Sequence, residues 1–239
     1  MRSACRDLRK NGFAIVEGYV QPALVEQLQA ACKDSIKKYG SSESDGLYWI
    51  AKRPGALILR HLNERLPVIE LFSRDMFCRS INFLFAGRLG SPSVQLSVTH
   101  DGSAKIPEIP GAANRTFADV PHFDKWYHQL KAVFPMRDVK PENGPLTVMP
   151  GSSSIQYDVI EFYSYDLFKR TNKPIFKLDT DKELDDDDFP QTFRSRVGRK
   201  YGTKKLTAKA GDMILFDSRT IHFAGKMERG ERHMLWFYF

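Results

Sequence analysis

The second half of the sequence consists of short segments with the residue pattern of β-strands. In residues 93–99, apolar and polar side chains alternate strictly, which is the pattern of a strand with one apolar and one polar face. Further strand candidates lie at residues 145–149, 212–216 and 233–239, and glycine, proline and asparagine residues separate them. Such a series of short strands predicts a β-sandwich or a β-barrel.

The first part of the chain is predicted to be mainly helical. Residues 13–20 have the β-branched and aromatic content of a strand, and a helix follows with Pro22 in its first turn and Gly40 as its cap. Residues 66–85 predict two packed helices with a break at 73–75. With helices first and strands after, the predicted fold is mainly β with flanking helices, an α+β arrangement.

The length of the chain bounds its domain organisation. A chain of 239 residues is near the upper end of what one hydrophobic core supports, so residues 1–239 are predicted to form a single domain. Two long segments without a regular pattern interrupt it, at about 101–120 and 152–205. Irregular segments of this length inside a compact domain are usually functional, so both are predicted to be lids.

The net charge of +7 does not by itself indicate nucleic acid as a partner. The basic residues are scattered, apart from one cluster that follows the acidic run at 179–188, and neither belongs to a known nucleic-acid-reading module. No stretch approaches the roughly 20 apolar residues needed to cross a bilayer. We therefore expect neither nucleic acid nor a membrane as a partner.

The cysteines indicate the compartment. There are three, an odd number, and their spacing fits neither a metal site nor a redox motif. A disulfide framework is therefore not expected, and a reducing compartment fits better. We expect a cytoplasmic protein.

Two of the six histidines lie where they can serve a metal site. On a strand, His122 and Asp124 would point to the same face, because residues two apart share a face. A second histidine from a distant strand, His222, would complete the arrangement of two histidines and one carboxylate that is typical of non-haem Fe(II) oxygenases. Ten residues later, the guanidinium of Arg232 could clamp a planar carboxylate.

Four segments in order resemble the phytanoyl-CoA dioxygenase-like family of Fe(II)/2-oxoglutarate oxygenases. They are residues 10–20 (KNGFAIVEGYV), the His122-Phe-Asp124 motif, residues 142–152 (ENGPLTVMPGS), and residues 211–217 (GDMILFD) leading to His222 and Arg232. The motif His-x-Asp is weak alone, but the ordered set is specific and spans nearly the whole chain.

The resemblance implies a double-stranded β-helix, a jelly-roll, cupin-like barrel with helices packed outside. It implies Fe(II) bound by His122, Asp124 and His222, with 2-oxoglutarate and O2 as co-substrates. Arg232 corresponds to the arginine that pairs with the distal carboxylate of 2-oxoglutarate, and Arg229 is the weaker candidate. Secondary contacts to 2-oxoglutarate usually come from polar residues on neighbouring strands, for which Gln95 and Thr147 are our predictions.

One position departs from the family pattern. The family often has histidine after Pro-Gly-Ser, whereas this chain has Ser153, so no role of that histidine is carried over. Asp124 argues against halogenation, since halogenating relatives have a small residue there. The other histidines are assigned to structure or solvent: His61, His100, His128 and His233.

Several alternatives remain open at this point. Hydroxylation of a small molecule is the leading outcome, with desaturation, epoxidation or cyclisation as alternatives that use the same cofactors. The charge pattern of residues 152–205 is compatible with polar or anionic substrate groups. A hypothesis from another functional class is that the chain is a non-catalytic jelly-roll binding module or an inactive partner in a hetero-oligomer. A homo-oligomer is compatible with the sequence, although nothing in it indicates one.

Overall fold

The computed structural model describes most of the chain outside the two predicted lids. The described residues are 2–39, 50–53, 56–87, 90–100, 123–125, 127–154, 201–225 and 227–239. The predicted lid at 101–120 lies outside them, and so do residues 155–200 of the second predicted lid.

The described residues contain four α-helices. They are α1 (Arg2–Asn11), α2 (Pro22–Tyr39), α3 (Pro67–Ser73) and α4 (Met76–Ala86). The predicted helix after Pro22 and the predicted pair of helices are confirmed. Asp75 explains the break in the pair, because its side chain caps α4 by accepting a hydrogen bond from the backbone N–H of Cys78 at 3.0 Å. Helix α1 was not predicted. None of the helices in these ranges is long and apolar enough to cross a membrane.

The strands of the described residues form two antiparallel sheets. They are β1 (Phe13–Val16), β2 (Ile50–Arg53), β3 (Ala56–Leu59), β4 (Ser93–His100), β5 (Leu130–Pro135), β6 (Leu146–Val148), β7 (Lys204–Lys205), β8 (Met213–Asp217), β9 (His222–Ala224) and β10 (Glu231–Tyr238). The larger sheet has seven strands in the order β1-β8-β5-β10-β4-β3-β2, and the smaller has three in the order β7-β6-β9.

Side-chain alternation along the strands divides the interior into two layers. On β10, Met234 and Trp236 belong to an apolar cluster that also contains Val148 of the smaller sheet, so this face of the larger sheet looks toward the smaller one. Leu235 and Phe237 belong to the cluster that packs against the helices. Two antiparallel sheets face to face, with helices outside, make a mainly β jelly roll. The predicted fold class is confirmed.

Candidate metal and co-substrate site

Asp124 and His222 meet between the two sheets. Their side chains come from positions almost a hundred residues apart, yet Oδ2 of Asp124 lies 3.1 Å from Nε2 of His222. The imidazole is buried, and the Phe216 ring packs edge-on against it with the ring centres 5.0 Å apart. The carboxylate remains one-quarter exposed. A small ligand can therefore approach the pair from the carboxylate side.

The ring orientation of His222 makes this pair suited to a metal ion. Nδ1 lies 2.8 Å from the carbonyl oxygen of Thr220, and because a carbonyl can only accept, Nδ1 donates this hydrogen bond. Nε2 is thereby left facing Oδ2 of Asp124, where its unprotonated form and the carboxylate could bind one cation together. Donors bound side by side to one metal ion at about 2.1 Å each lie about 3 Å apart. The observed separation fits such an ion.

One turn orients both of these side chains. The turn that follows β8 supplies the Thr220 carbonyl for His222, and its Ser218 carbonyl accepts a hydrogen bond from the backbone N–H of Asp124 at 2.9 Å. The hydroxyl of Thr220 donates to the carbonyl of Gly12 at 2.9 Å, which ties the turn to the start of β1. Sequence reasoning included part of this segment in a motif but assigned no role to Ser218 or Thr220.

His122, the third predicted ligand, lies outside the described residues. Within those residues, no group of three or more histidine, cysteine, aspartate or glutamate side chains could hold a metal ion. The predicted strand geometry needs one correction at Asp124, which lies in a bend rather than in a strand. Its position is set by the hydrogen bond to Ser218 instead of by a strand ladder.

A lysine that sequence reasoning missed lies beside the pair. Lys131 is on β5, is only 5% exposed, and donates a hydrogen bond from its ammonium to the same Oδ2 of Asp124. The ammonium also lies 4.7 Å from the ring centre of Tyr238 and 5.5 Å from that of Phe216. A charged residue within the otherwise apolar segment 130–135 was the available signal, but this segment had not been predicted as a strand.

The two candidate arginines differ in their surroundings. Arg232 is on β10, is 9% exposed, and shares the face of Met234 and Trp236 that looks toward the smaller sheet. Arg229 is largely exposed and its guanidinium pairs with the carboxylate of Glu142 at 2.9 Å. Arg232 is thus placed to reach a ligand between the sheets, whereas Arg229 belongs to the surface.

The two predicted secondary contacts fall on different faces. Gln95 lies directly opposite Trp236 in the β4–β10 ladder, on the same face as Arg232 and between the sheets. Thr147 lies opposite Phe223, while its neighbour Val148 lies opposite His222. Because adjacent strand residues point to opposite faces, Thr147 points away from the site. The structure brings Gln95 toward the site and does not bring Thr147 there.

A second polar network supports the segment that carries Asp124. Nδ1 of His128 lies 2.7 Å from the buried carboxylate of Asp217, and a guanidinium nitrogen of Arg219 lies 3.0 Å from Nε2 of the same ring. Burial raises the pKa of Asp217, although the backbone N–H of Arg219 and the His128 ring partly offset this effect. His128 thus belongs to a polar network with Asp217 and Arg219.

Several solved structures share this architecture. The epimerase SnoN, solved with Fe3+, alpha ketoglutarate and nogalamycin RO, has a TM-score of 0.65 at 14% identity, with 99% of this chain and 82% of SnoN covered. EctD from S. alaskensis, solved with 2-oxoglutarate and 5-hydroxyectoine, has a TM-score of 0.63 at 16% identity, covering 100% of this chain and 75% of EctD.

HygX from Streptomyces hygroscopicus, solved with nickel, 2-oxoglutarate and hygromycin B, is a third similar structure. Its TM-score is 0.59 at 13% identity, and the match covers 100% of this chain and 86% of HygX. At these identities the likeness establishes the fold. No curated protein sequence matches the chain.

The fold and the family together define the class. The chain is a 2-oxoglutarate-dependent non-haem iron dioxygenase, an oxidoreductase that uses iron, 2-oxoglutarate and O2. The family model described as Phytanoyl-CoA dioxygenase (PhyH) matches residues 8–233, and the chain therefore belongs to this family. The family predicted from the four segments is confirmed.

Proposed function

We propose that this chain hydroxylates a small molecule, with release of succinate and CO2, at an Fe(II) ion held by His122, Asp124 and His222. The single observation that carries the proposal is the 3.1 Å separation of Asp124 Oδ2 from Nε2 of His222, whose Nδ1 is held by the Thr220 carbonyl. Fe(II) at this point would activate dioxygen with electrons from 2-oxoglutarate.

The residues of the chain bind, orient and exclude water. The Thr220 carbonyl keeps His222 in the tautomer that can bind metal, and Ser218 holds the backbone of Asp124. Arg232 pairs with the distal carboxylate of 2-oxoglutarate, and its burial between the sheets strengthens that pairing. Gln95, on the same face, is proposed as a second contact, whereas Thr147 points away from the site and is not retained.

The test is an assay of succinate formation from 2-oxoglutarate with Fe(II) and ascorbate, run beside a measurement of iron retention. His222→Ala should abolish iron retention and turnover. Arg232→Ala should retain iron and raise the 2-oxoglutarate KM by about ten- to a hundredfold, because a buried charge-assisted contact is lost. Arg229→Ala is the matched control, since Arg229 lies three residues from Arg232 but is largely exposed and pairs with Glu142.

Two results would contradict the proposal. Iron retention by His222→Ala equal to that of the unaltered protein would remove His222 from the site. An unchanged 2-oxoglutarate requirement in Arg232→Ala, or an equal rise in Arg229→Ala, would remove Arg232 from its role.

Other oxidative outcomes are tested on the product. Desaturation, epoxidation and cyclisation use the same cofactors, and the structural likeness to the epimerase SnoN indicates that this fold is not restricted to hydroxylation. Mass spectrometry divides them into two groups, because hydroxylation and epoxidation each add one oxygen atom whereas desaturation and oxidative cyclisation each remove two hydrogen atoms. NMR of the product then separates the members of each group. A product with unchanged mass would favour epimerisation.

The remaining expectations are proposals about context. We propose one domain over residues 1–239, a cytoplasmic location, a substrate with polar or anionic groups, and no nucleic-acid or membrane partner. A purely binding or inactive barrel would retain ligands without forming succinate. Size-exclusion chromatography with light scattering tests for a homo-oligomer.

A further inference from the structure

Lys131 places a buried positive charge at the metal end of the site. It is only 5% exposed, and it lies on the face of β5 that looks toward the smaller sheet, as does Val133 two residues later. The rings of Tyr238 and Phe216 lie 4.7 and 5.5 Å from its ammonium nitrogen. Aromatic faces attract this charge without neutralising it.

Among the described residues, the cluster of Asp124, His222 and Lys131 gains a net positive charge once a divalent ion binds. Asp124 offers one negative charge, and its Oδ2 already accepts a hydrogen bond from the Lys131 ammonium. A divalent metal ion on the same carboxylate brings two more positive charges, whereas neutral histidine ligands bring no negative one. A buried unbalanced charge is costly, so this cluster favours an additional anion next to Lys131.

Lys131 and Arg232 lie toward opposite ends of one strip of the larger sheet. Lys131 lies directly opposite Tyr238, near the end of β10, and Arg232 lies six residues earlier on the same strand and the same face. Six residues of strand span about 20 Å between Cα atoms. The Lys131 ammonium stands over the rings of Tyr238 and Phe216, the residues directly opposite it on the two neighbouring strands, so the Arg232 side chain and the extended dicarboxylate must span the rest of this distance.

We propose that the Lys131 ammonium binds the 2-oxoacid end of 2-oxoglutarate, pairing with the carboxylate that the co-substrate brings to the metal, while Arg232 pairs with the distal carboxylate. This inference rests on the proposed function. It makes Lys131 a co-substrate-binding residue as well as a hydrogen-bond donor to Asp124.

The test separates iron binding from co-substrate binding. Fe(II) affinity is measured anaerobically without co-substrate, and the Fe(II)-loaded protein is then titrated calorimetrically with 2-oxoglutarate and with 2-oxovalerate. The second compound has the same 2-oxoacid end and carbon chain but lacks the distal carboxylate. Neither titration needs turnover or knowledge of the primary substrate.

Lys131→Met removes the charge and keeps the chain length. The Kd of both oxoacids should rise by about ten- to a hundredfold, as expected for loss of a charge-assisted contact. The Fe(II) affinity should stay unchanged or increase, because a positive charge is removed from beside Asp124. Arg232→Ala should instead weaken 2-oxoglutarate selectively and leave 2-oxovalerate unaffected.

Two further variants serve as controls. Lys131→Arg retains the charge and should bind both oxoacids more tightly than Lys131→Met. Lys204→Met is the matched control, because Lys204 also lies over an aromatic ring, that of Phe13 at 5.2 Å, but is an exposed residue of β7. It should leave both oxoacid affinities unchanged. If Lys131→Met does not fold, Lys131→Gln replaces it in the same titrations.

Each outcome decides the inference. Unchanged oxoacid affinity in Lys131→Met would overturn it, and so would a loss of Fe(II) affinity as large as the loss of oxoacid affinity, because Lys131 would then only position Asp124. If the unaltered Fe(II)-loaded protein bound neither oxoacid, the proposed function would fail as well. If the unaltered protein bound both oxoacids and Lys131→Met bound them equally well, only the role of Lys131 would be rejected and the proposed function would stand.

Discussion

Burial distinguishes the three cysteine thiols. Cys32 and Cys78 are buried in the layer between the larger sheet and the helices, and Cys5 is half-buried at the edge of that layer. Burial raises the pKa of Cys32 to about 12 and also raises that of Cys78, because the thiolate loses its hydration in apolar surroundings. Thiolates are the reactive form, so both buried thiols should be inert near neutral pH.

Thiol labelling tests this difference. Iodoacetamide at pH 8 should modify Cys5 in the native protein and leave Cys32 and Cys78 unmodified, whereas all three react after unfolding in urea. Peptide mass spectrometry identifies the modified positions. Rapid native labelling of Cys32 would show that the packing between α2 and the sheet opens readily.

At the level of residues, the sequence predicted the site only in part. The motif spacing identified Asp124 and His222, which lie 3.1 Å apart, and their roles as ligands stay predictions. Lys131 and Thr220 were not predicted, since their importance depends on contacts between distant segments. A lysine on a strand is usually exposed, and only the tertiary fold makes Lys131 a buried charge.

Among the structural elements, the junction between α1 and β1 depends most strictly on residue size. Gly12 has a φ of 80°, and a Cβ atom there would lie 2.2 Å from Oγ1 of Thr220 and 2.9 Å from Oγ of Ser153. Glycine lets the chain turn into β1 while Thr220 stays within hydrogen-bonding distance. Ser153, which replaces the histidine common in the family, occupies this crowded place.

Substitution of Gly12 should affect both stability and the site. Gly12→Ala should reduce the free energy of unfolding by about 3 kcal/mol or more and weaken Fe(II) binding, because Thr220 must move. Gly18→Ala is the matched control: its φ is also positive, 56°, but nothing lies within 4 Å of the added Cβ. It should cost about 1 kcal/mol and leave iron binding intact. Urea denaturation and iron titration give both quantities, and equal effects of the two substitutions would contradict the proposed contact.

The elements that the sequence predicted are those with a strong local pattern. Helices α2, α3 and α4 have apolar residues at helical spacing, and β4 alternates strictly. Strand β5 was missed because Lys131 interrupts its apolar run and Pro135 ends it. Helix α1 was missed because it has few apolar residues, of which Ala4 and Leu8 are buried. Only tertiary contacts reveal those two elements.

In the molecule as a whole, the apolar core and the site occupy different places. The larger apolar cluster lies between the seven-stranded sheet and the helices, whereas Asp124, His222 and Arg232 lie on the opposite side of that sheet. Loss of ligands therefore leaves most of the buried apolar contacts in place. The apoprotein should fold, and bound ligands should add to its stability.

Thermal denaturation measures how much the bound ligands add to the stability of the protein. Fe(II) with 2-oxoglutarate, each at about 100 times its Kd and under anaerobic conditions, should stabilise the protein by about 2.7 kcal/mol per binding event, or several degrees in Tm. His222→Ala should abolish the shift. His233→Ala should keep it, because His233 pairs with Glu231 on the other face of β10. A shift of equal size in His222→Ala would place the ligands elsewhere.

The pairing of β1 with β8 has a consequence for biosynthesis. Phe13 lies opposite Phe216, and Gly12 contacts the turn that orients His222, so β1 is completed by a segment that is made 208 residues later. On the ribosome, the segment after β8 must emerge before the turn that orients His222 can contact Gly12. Nascent chains halted before residue 222 should therefore be unable to acquire the metal, however well their helices have formed.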